Sequence, residues 1–163
     1  MYEARENREG ASHLWTGLTV VVVLVVSGLM GWLFLRANTG PGAGGVAPKP
    51  ALFERTPATL DDALAEAGAN GLVLAFATAD WCPPCQHMKR TALVDPAVET
   101  WVRENAVAVY IDTDHNQSDA ERLNVRGIPQ TTLLRGDGTV LMREVGAMSA
   151  EQLLAAMRGA ANK

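Results

Sequence analysis

The two cysteines of this 163-residue chain stand three positions apart, in the run Trp81-Cys82-Pro83-Pro84-Cys85. The run follows Leu72 to Phe76, a compact apolar stretch of buried-strand type, and it precedes residues that read as a helix. Few local arrangements are as restrictive as a strand that delivers a cysteine to the first turn of a helix. Unpaired backbone N–H groups and the positive end of the helix dipole are then aimed at one sulfur. Free cysteine, with a pKa near about 8.5, is mostly protonated at neutral pH, and this placement shifts Cys82 toward the nucleophilic thiolate. Cys85 lies one turn on, on the same face, close enough to attack a mixed disulfide formed at Cys82. Pro83 suits the first helical position, Pro84 stiffens the turn, and Trp81 flanks the sulfur with apolar surface.

Other uses of a cysteine pair are constrained by what the chain lacks. Two cysteines so close together cannot staple a small secreted scaffold. A zinc site needs about four ligands, and only His13, His87 and His115 could supplement the thiols. Copper(I) could use two soft thiolates with His87, so a metal carrier stands as a second class of reading, although His87 also reads as a solvent-facing helix residue. No resident metal or organic cofactor is expected. The net charge of −4 is small and mixed in sign, with no basic strip to track a phosphate backbone, so nucleic acid is not an expected partner.

From Leu14 to Leu35 the chain carries no charged residue. As a helix this stretch spans roughly 30 Å, the thickness of a bilayer core. Trp15 and Trp32 stand near its ends, where amphipathic rings prefer the interface. A cleaved signal sequence has a shorter apolar region, and Leu35-Arg36-Ala37 lacks the small-x-small pattern of a cleavage site. An uncleaved transmembrane helix is therefore expected over residues 14–35, after a short tail, residues 1–13. Arg5 and Arg8 before the span balance Arg36 and Lys49 after it, so charge does not set the orientation. The plan of short tail, anchor and folded domain favours a single-pass protein of a bacterial inner membrane with its domain outside the cytoplasm. Residues 36–50 are rich in Gly and Pro and are expected to form a flexible linker.

The expected domain occupies residues 51–163. Thr59 caps a short helix that ends near Gly68, and Asp95-Pro96 interrupts the helix that begins at the cysteines and continues to about Glu104. Val107 to Ile111 reads as a second buried strand. Ser118-Asp119-Ala120-Glu121 has capping-box spacing before a brief helix toward Leu123. Thr131 to Leu134 and Val140 to Val145 flank Asp137-Gly138, a hairpin signal, and Ser149 to Gln152 opens a last helix with Leu153, Leu154 and Met157 on one side. This order predicts an α/β domain with a mixed sheet flanked by helices on both faces.

Ala79-Asp80-Trp81-Cys82-Pro83-Pro84-Cys85 resembles the active-site segment of thioredoxins. Val125-Arg126-Gly127-Ile128-Pro129, with Thr131 to Leu134, is similar to their cis-proline loop and following strand, and Val145 to Ser149 continues the likeness. Asp95-Pro96-Ala97-Val98 resembles the C-terminal domain of the bacterial membrane thiol:disulfide interchange reductase. The resemblance implies a thioredoxin fold, with Cys82 as nucleophile and Cys85 as resolving thiol. It also implies a cis peptide at Pro129 and a substrate segment paired to the backbone of Ile128 beside Trp81 and Pro83.

Two positions depart from that pattern. Thioredoxins bury an Asp six residues before the first cysteine, where this chain has Phe76, and a Lys often near that Asp aligns with Tyr110. With both missing, proton transfer from Cys85 must use water or another group; Asp80 is the nearest candidate in sequence, and it reads equally as a solvated loop residue. Pro83 replaces the usual Gly and removes one N–H that could face the thiolate. The expectation is a membrane-tethered dithiol reductase acting on disulfides of exported proteins, recharged by a membrane electron donor of the thiol:disulfide interchange type. A dithiol oxidant, or a chaperone-like or copper-binding module, is the alternative.

Overall fold

The computed structural model describes residues 22–32 and 45–162. The chain divides into two units, one ending at Gly45 and one beginning at Val46.

In the first unit, residues 22–32 form a helix, α1. Its apolar side chains, Val22 to Val26, Leu29 and Met30 among them, are exposed. The expected span 14–35 extends beyond it at both ends, into 14–21 and 33–35, which lie outside the described residues, as do 1–13 and 36–44. Among the described residues no helix is long and apolar enough to cross a membrane.

The second unit contains five helices and four strands: α2 (Leu60–Ala67), β1 (Leu72–Thr78), α3 (Pro83–Arg90), α4 (Pro96–Asn105), β2 (Ala106–Asp112), α5 (Gln117–Arg122), β3 (Gln130–Arg135), β4 (Val140–Val145) and α6 (Ala150–Ala161). The sheet order is β2-β1-β3-β4. β1 runs parallel to β2 and antiparallel to β3, and β3 is antiparallel to β4. Alternate residues of the strands divide the core into two layers. Leu74, Phe76, Ala108, Leu133 and Met142 pack against α3, α4 and α6. Val73, Ala75, Ala77, Val109, Ile111 and Leu134 pack beneath Leu60 and Ala63 of α2 and Leu123 after α5. A strand covered on both faces needs apolar residues at successive positions, which is why β1 reads as an uninterrupted run.

Most helix ends follow local chemistry. The Thr59 side chain accepts from the Asp62 N–H, and Gly68, at φ +65°, ends α2. A 3-10 turn at Ala92–Val94 separates α3 from α4, so the expected interruption is complete. The Asp95 carboxylate then accepts from the N–H groups of Ala97 (2.9 Å) and Val98 (3.4 Å), with Pro96 opening α4. Ser149 and Gln152 form the reciprocal capping box at the start of α6. In the hairpin, Asp137 Oδ1 accepts from the Thr139 N–H at 2.8 Å, which holds this carboxyl below the usual aspartate value.

The start of α5 differs from expectation. Ser118 does not cap it: the helix begins at Gln117, with Asn116 before it and no side-chain cap bond. The turn begins earlier because the Asn116 N–H already donates to the Asp112 carbonyl, and Asp119 is buried and bonded across the fold to the Leu60 N–H at 2.9 Å.

The domain boundary expected at residue 51 lies at Val46. Ala47 is buried, and its N–H donates to Gln86 Oε1 of α3 at 2.6 Å. Residues 46–50 therefore belong to the folded unit, because a buried side-chain acceptor on α3 satisfies backbone that local composition alone would leave to solvent.

Candidate active site

β1 ends at Thr78, and Ala79-Asp80-Trp81 leads from it into α3. Cys82 is the N-cap of α3, and its sulfur accepts from the Cys85 N–H at 3.2 Å. Pro83 and Pro84 carry no N–H, so Cys85 supplies the first donor of this turn that a thiolate at Cys82 can use. The two sulfurs are bonded as a disulfide, with Cα atoms 5.3 Å apart. Cys85 is fully buried and Cys82 retains 3% exposure, so an incoming group meets Cys82 first.

The other residues singled out in the sequence surround this pair. Trp81 is 68% exposed, and its indole N–H donates to Asp114 Oδ2 in the turn after β2 at 2.8 Å. That bond fixes one edge of a large apolar surface beside the disulfide. Pro83 is exposed on the first turn. The Ile128–Pro129 peptide is cis. Gln130 pairs with Ala77, so Ile128–Pro129 stands at the same end of the sheet as the cysteine motif. The Pro129 carbonyl accepts from the Gly146 N–H at 2.8 Å, next to exposed Val145.

Phe76 occupies the position where the resemblance to thioredoxins implies an acid. It is fully buried, with ring centroids 6.0 Å from Phe53 and 6.2 Å from Tyr110. The site floor here is an aromatic cluster, which offers no proton acceptor.

The charge is found elsewhere, on a residue the sequence reading passed over. Lys89 of α3 has a side chain only 1% exposed, and its Nζ lies 3.6 Å from Asp80 Oδ1. The same ammonium donates to the Tyr110 hydroxyl at 3.2 Å. Asp80 keeps its own side chain 63% exposed, so it stands at the mouth of the site while Lys89 is inside. A lysine near a helix C-terminus ordinarily reads as a solvated complement to the dipole, and the only hint of its burial was that Cys85, Met88 and Lys89 share a face.

Gln86 ties the segment together. Its side-chain N–H groups donate to the carbonyls of Ala79 (3.2 Å) and Asp80 (3.0 Å), while its oxygen holds Ala47. His87 is exposed and lies two residues past Cys85, off the face that carries the sulfurs. His115 is exposed beside Asp112, and His13 lies outside the described residues. Among the described residues no group of three His, Cys, Asp or Glu side chains gathers in metal-binding geometry.

The chain is similar to known proteins. The thioredoxin-like domain family matches residues 60–161. The chain belongs to the thioredoxin-like family. A thioredoxin of Pseudomonas aeruginosa is 34% identical over 90 residues, 53% of this chain and 77% of that protein. The thiol:disulfide interchange protein DsbD 1 of the same organism is 33% identical over 114 residues, 66% of this chain, which spans only 19% of DsbD 1. Among solved structures, a thioredoxin from Thermus thermophilus superposes with a TM-score of 0.56 at 26% identity, over 63% of this chain and 83% of that one. DsbH oxidoreductase gives the same TM-score of 0.56 at 17% identity, over 78% of this chain and 97% of that one, a likeness of fold alone. Family membership together with the Cys82–Cys85 pair indicates thiol-disulfide oxidoreductase activity.

Proposed function

We propose that this chain is a membrane-tethered dithiol reductase that reduces disulfides in exported proteins. The observation that carries the reading is the asymmetric pair at the start of α3, with Cys82 as N-cap retaining a small exposure and Cys85 fully buried behind it. Reduced Cys82, as thiolate, attacks one sulfur of a substrate disulfide, and the other substrate sulfur leaves as thiolate and takes a proton from solvent. Cys85 then loses its proton and attacks the Cys82 sulfur. The Cys82–Cys85 disulfide forms, and the substrate is released as a dithiol.

Trp81, Pro83 and Val145 supply exposed apolar contact, and the backbone at Ile128 receives an extended substrate segment as an added strand. Asp80, exposed at the mouth, carries the Cys85 proton to water. No cofactor is required beyond the cysteine pair. The uncharged run at residues 14–35 supports a single-pass anchor, and the exposed apolar side chains of α1 are consistent with a lipid surround. Likeness to DsbD 1 supports a redox partner of the thiol:disulfide interchange type, and the plan of short tail, uncharged run and folded domain favours a membrane donor and a domain outside the cytoplasm.

The test uses the full-length chain with Cys85→Ser. A reductase with this geometry accumulates mixed disulfides through Cys82, visible as adducts that dithiothreitol removes. A copper carrier or a chaperone-like module traps no protein through that sulfur, and a carrier loses bound Cu(I) instead.

A further inference from the structure

Lys89 is a buried charge on the helix of the cysteine pair that the chemistry above does not use. A buried ammonium is costly unless paired, and this one has two partners from outside its own helix: Asp80 in the loop before α3 and Tyr110 on β2. Lys89 follows Cys85 by four residues, so the two side chains project from the same face of α3. A helical side chain covers the turn N-terminal to its own Cα. Contact with Asp80, which precedes the helix, requires the Lys89 stem to run back along that turn, across the level of Cys85.

We infer that Lys89 is a positioning residue for the second half of the reaction: its buried charge favours the thiolate of Cys85 and so sets how fast Cys85 resolves the mixed disulfide at Cys82. This rests on the reductase reading above and assigns a role which the relatives' buried acid cannot fill here, since Phe76 stands in its place. A cation on the Cys85 face acts in the same direction as a base, because it lowers the cost of forming S−. The proton leaves to water past Asp80, Cys85 bonds to the Cys82 sulfur, and the substrate thiolate departs. Asp80 partly offsets the Lys89 charge, but it is largely exposed and screened by solvent, whereas Lys89 is not. Tyr110 contributes a neutral hydroxyl to Lys89, and Lys49 lies 5.2 Å from the Tyr110 ring centroid, adding a further positive charge to this side of the site.

The experiment measures single-turnover release from a preformed mixed disulfide at Cys82 as a function of pH, in the full-length chain. Lys89→Met is expected to slow release at neutral pH about tenfold and to move the midpoint of the profile about one unit alkaline, a displacement typical of losing one adjacent opposite charge. Lys89→Arg, which keeps the charge, should hold the wild-type midpoint. Asp80→Asn, at a surface position that does not threaten the fold, should move the midpoint in the acid direction by leaving Lys89 uncompensated. An unchanged midpoint in Lys89→Met, an equal alkaline shift in the Arg variant, or an alkaline shift in Asp80→Asn overturns the proposal. If wild-type protein never forms the mixed disulfide at Cys82, the reductase reading itself fails, and that result is distinguishable from failure of the Lys89 role alone.

Discussion

Replacing Phe76 with Asp, the residue type that the thioredoxin resemblance implies there, should destabilise this protein severely and in a pH-dependent way. Phe76 is fully buried between Phe53 and Tyr110. Removing the ring alone, as in Phe76→Ala, should cost about 3–5 kcal/mol in lost transfer energy and residual cavity. The introduced carboxyl adds desolvation, which disfavours its charged form and raises its folded-state pKa by about three units, or ~4 kcal/mol at neutral pH. Together these approach ~8 kcal/mol, comparable with the whole stability of a typical domain. The sign follows from linkage. The folded value is raised above the unfolded one, so the folded state binds the extra proton and the penalty grows as pH climbs from about 4 toward the raised value. Urea unfolding of Phe76→Ala and Phe76→Asp at pH 4.5 and 7 separates the terms. The two variants should be close in stability at the lower pH and several kcal/mol apart at the higher. If they differ by less than about 1 kcal/mol at pH 7, the aromatic floor is not the apolar medium described here, and Lys89 or water already compensates a charge at that depth.

Other consequences are smaller or more local. Asp95→Ala removes the acceptor for two N–H groups at the start of α4 and should cost about 1 kcal/mol in a urea melt, without altering the pH profile of the thiols. Gly136→Ala should be strongly destabilising, because an added Cβ meets the Gly68 carbonyl, a rigid backbone neighbour; thermal melting reads it directly. Gln86→Leu removes the acceptor for Ala47 and the donors to Ala79 and Asp80, and hydrogen exchange at Ala47 should rise while the core strands stay protected.

The parts of the fold legible in the sequence are those whose cause is local. β1 announces itself because a strand covered on both faces must be apolar throughout, and α4 and α6 begin at Asp95 and Ser149 because their caps lie within three residues of the N–H groups they satisfy. The cysteine pair is equally local, since the strand end and the helix start fix its geometry. What escaped the reading depends on partners distant in the chain. Asp119 is 59 residues from the Leu60 N–H it accepts, and Ala47 is 39 residues from Gln86, so neither the uncapped start of α5 nor the docking of residues 46–50 has a signal nearby. Lys89 is the same case at the site. Its burial is decided by Tyr110, 21 residues on, at a position where the sequence showed only that the usual lysine was absent. The familiar charge is missing from β2, and a different residue brings a lysine to the Tyr110 hydroxyl from α3.

The proposed turnover of Cys82 and Cys85 is that of a reducing dithiol. Its most direct test is the reduction potential of this pair in the full-length chain, from a glutathione titration read by alkylation of Cys82 and Cys85 with a metal-free control. A single two-electron transition at or below about −250 mV is the expected result, in the range of a reductant recharged by a membrane donor. A value near about −120 mV would make the protein an oxidant running the same chemistry in reverse, and a pair that does not cycle at all would contradict the catalytic reading altogether.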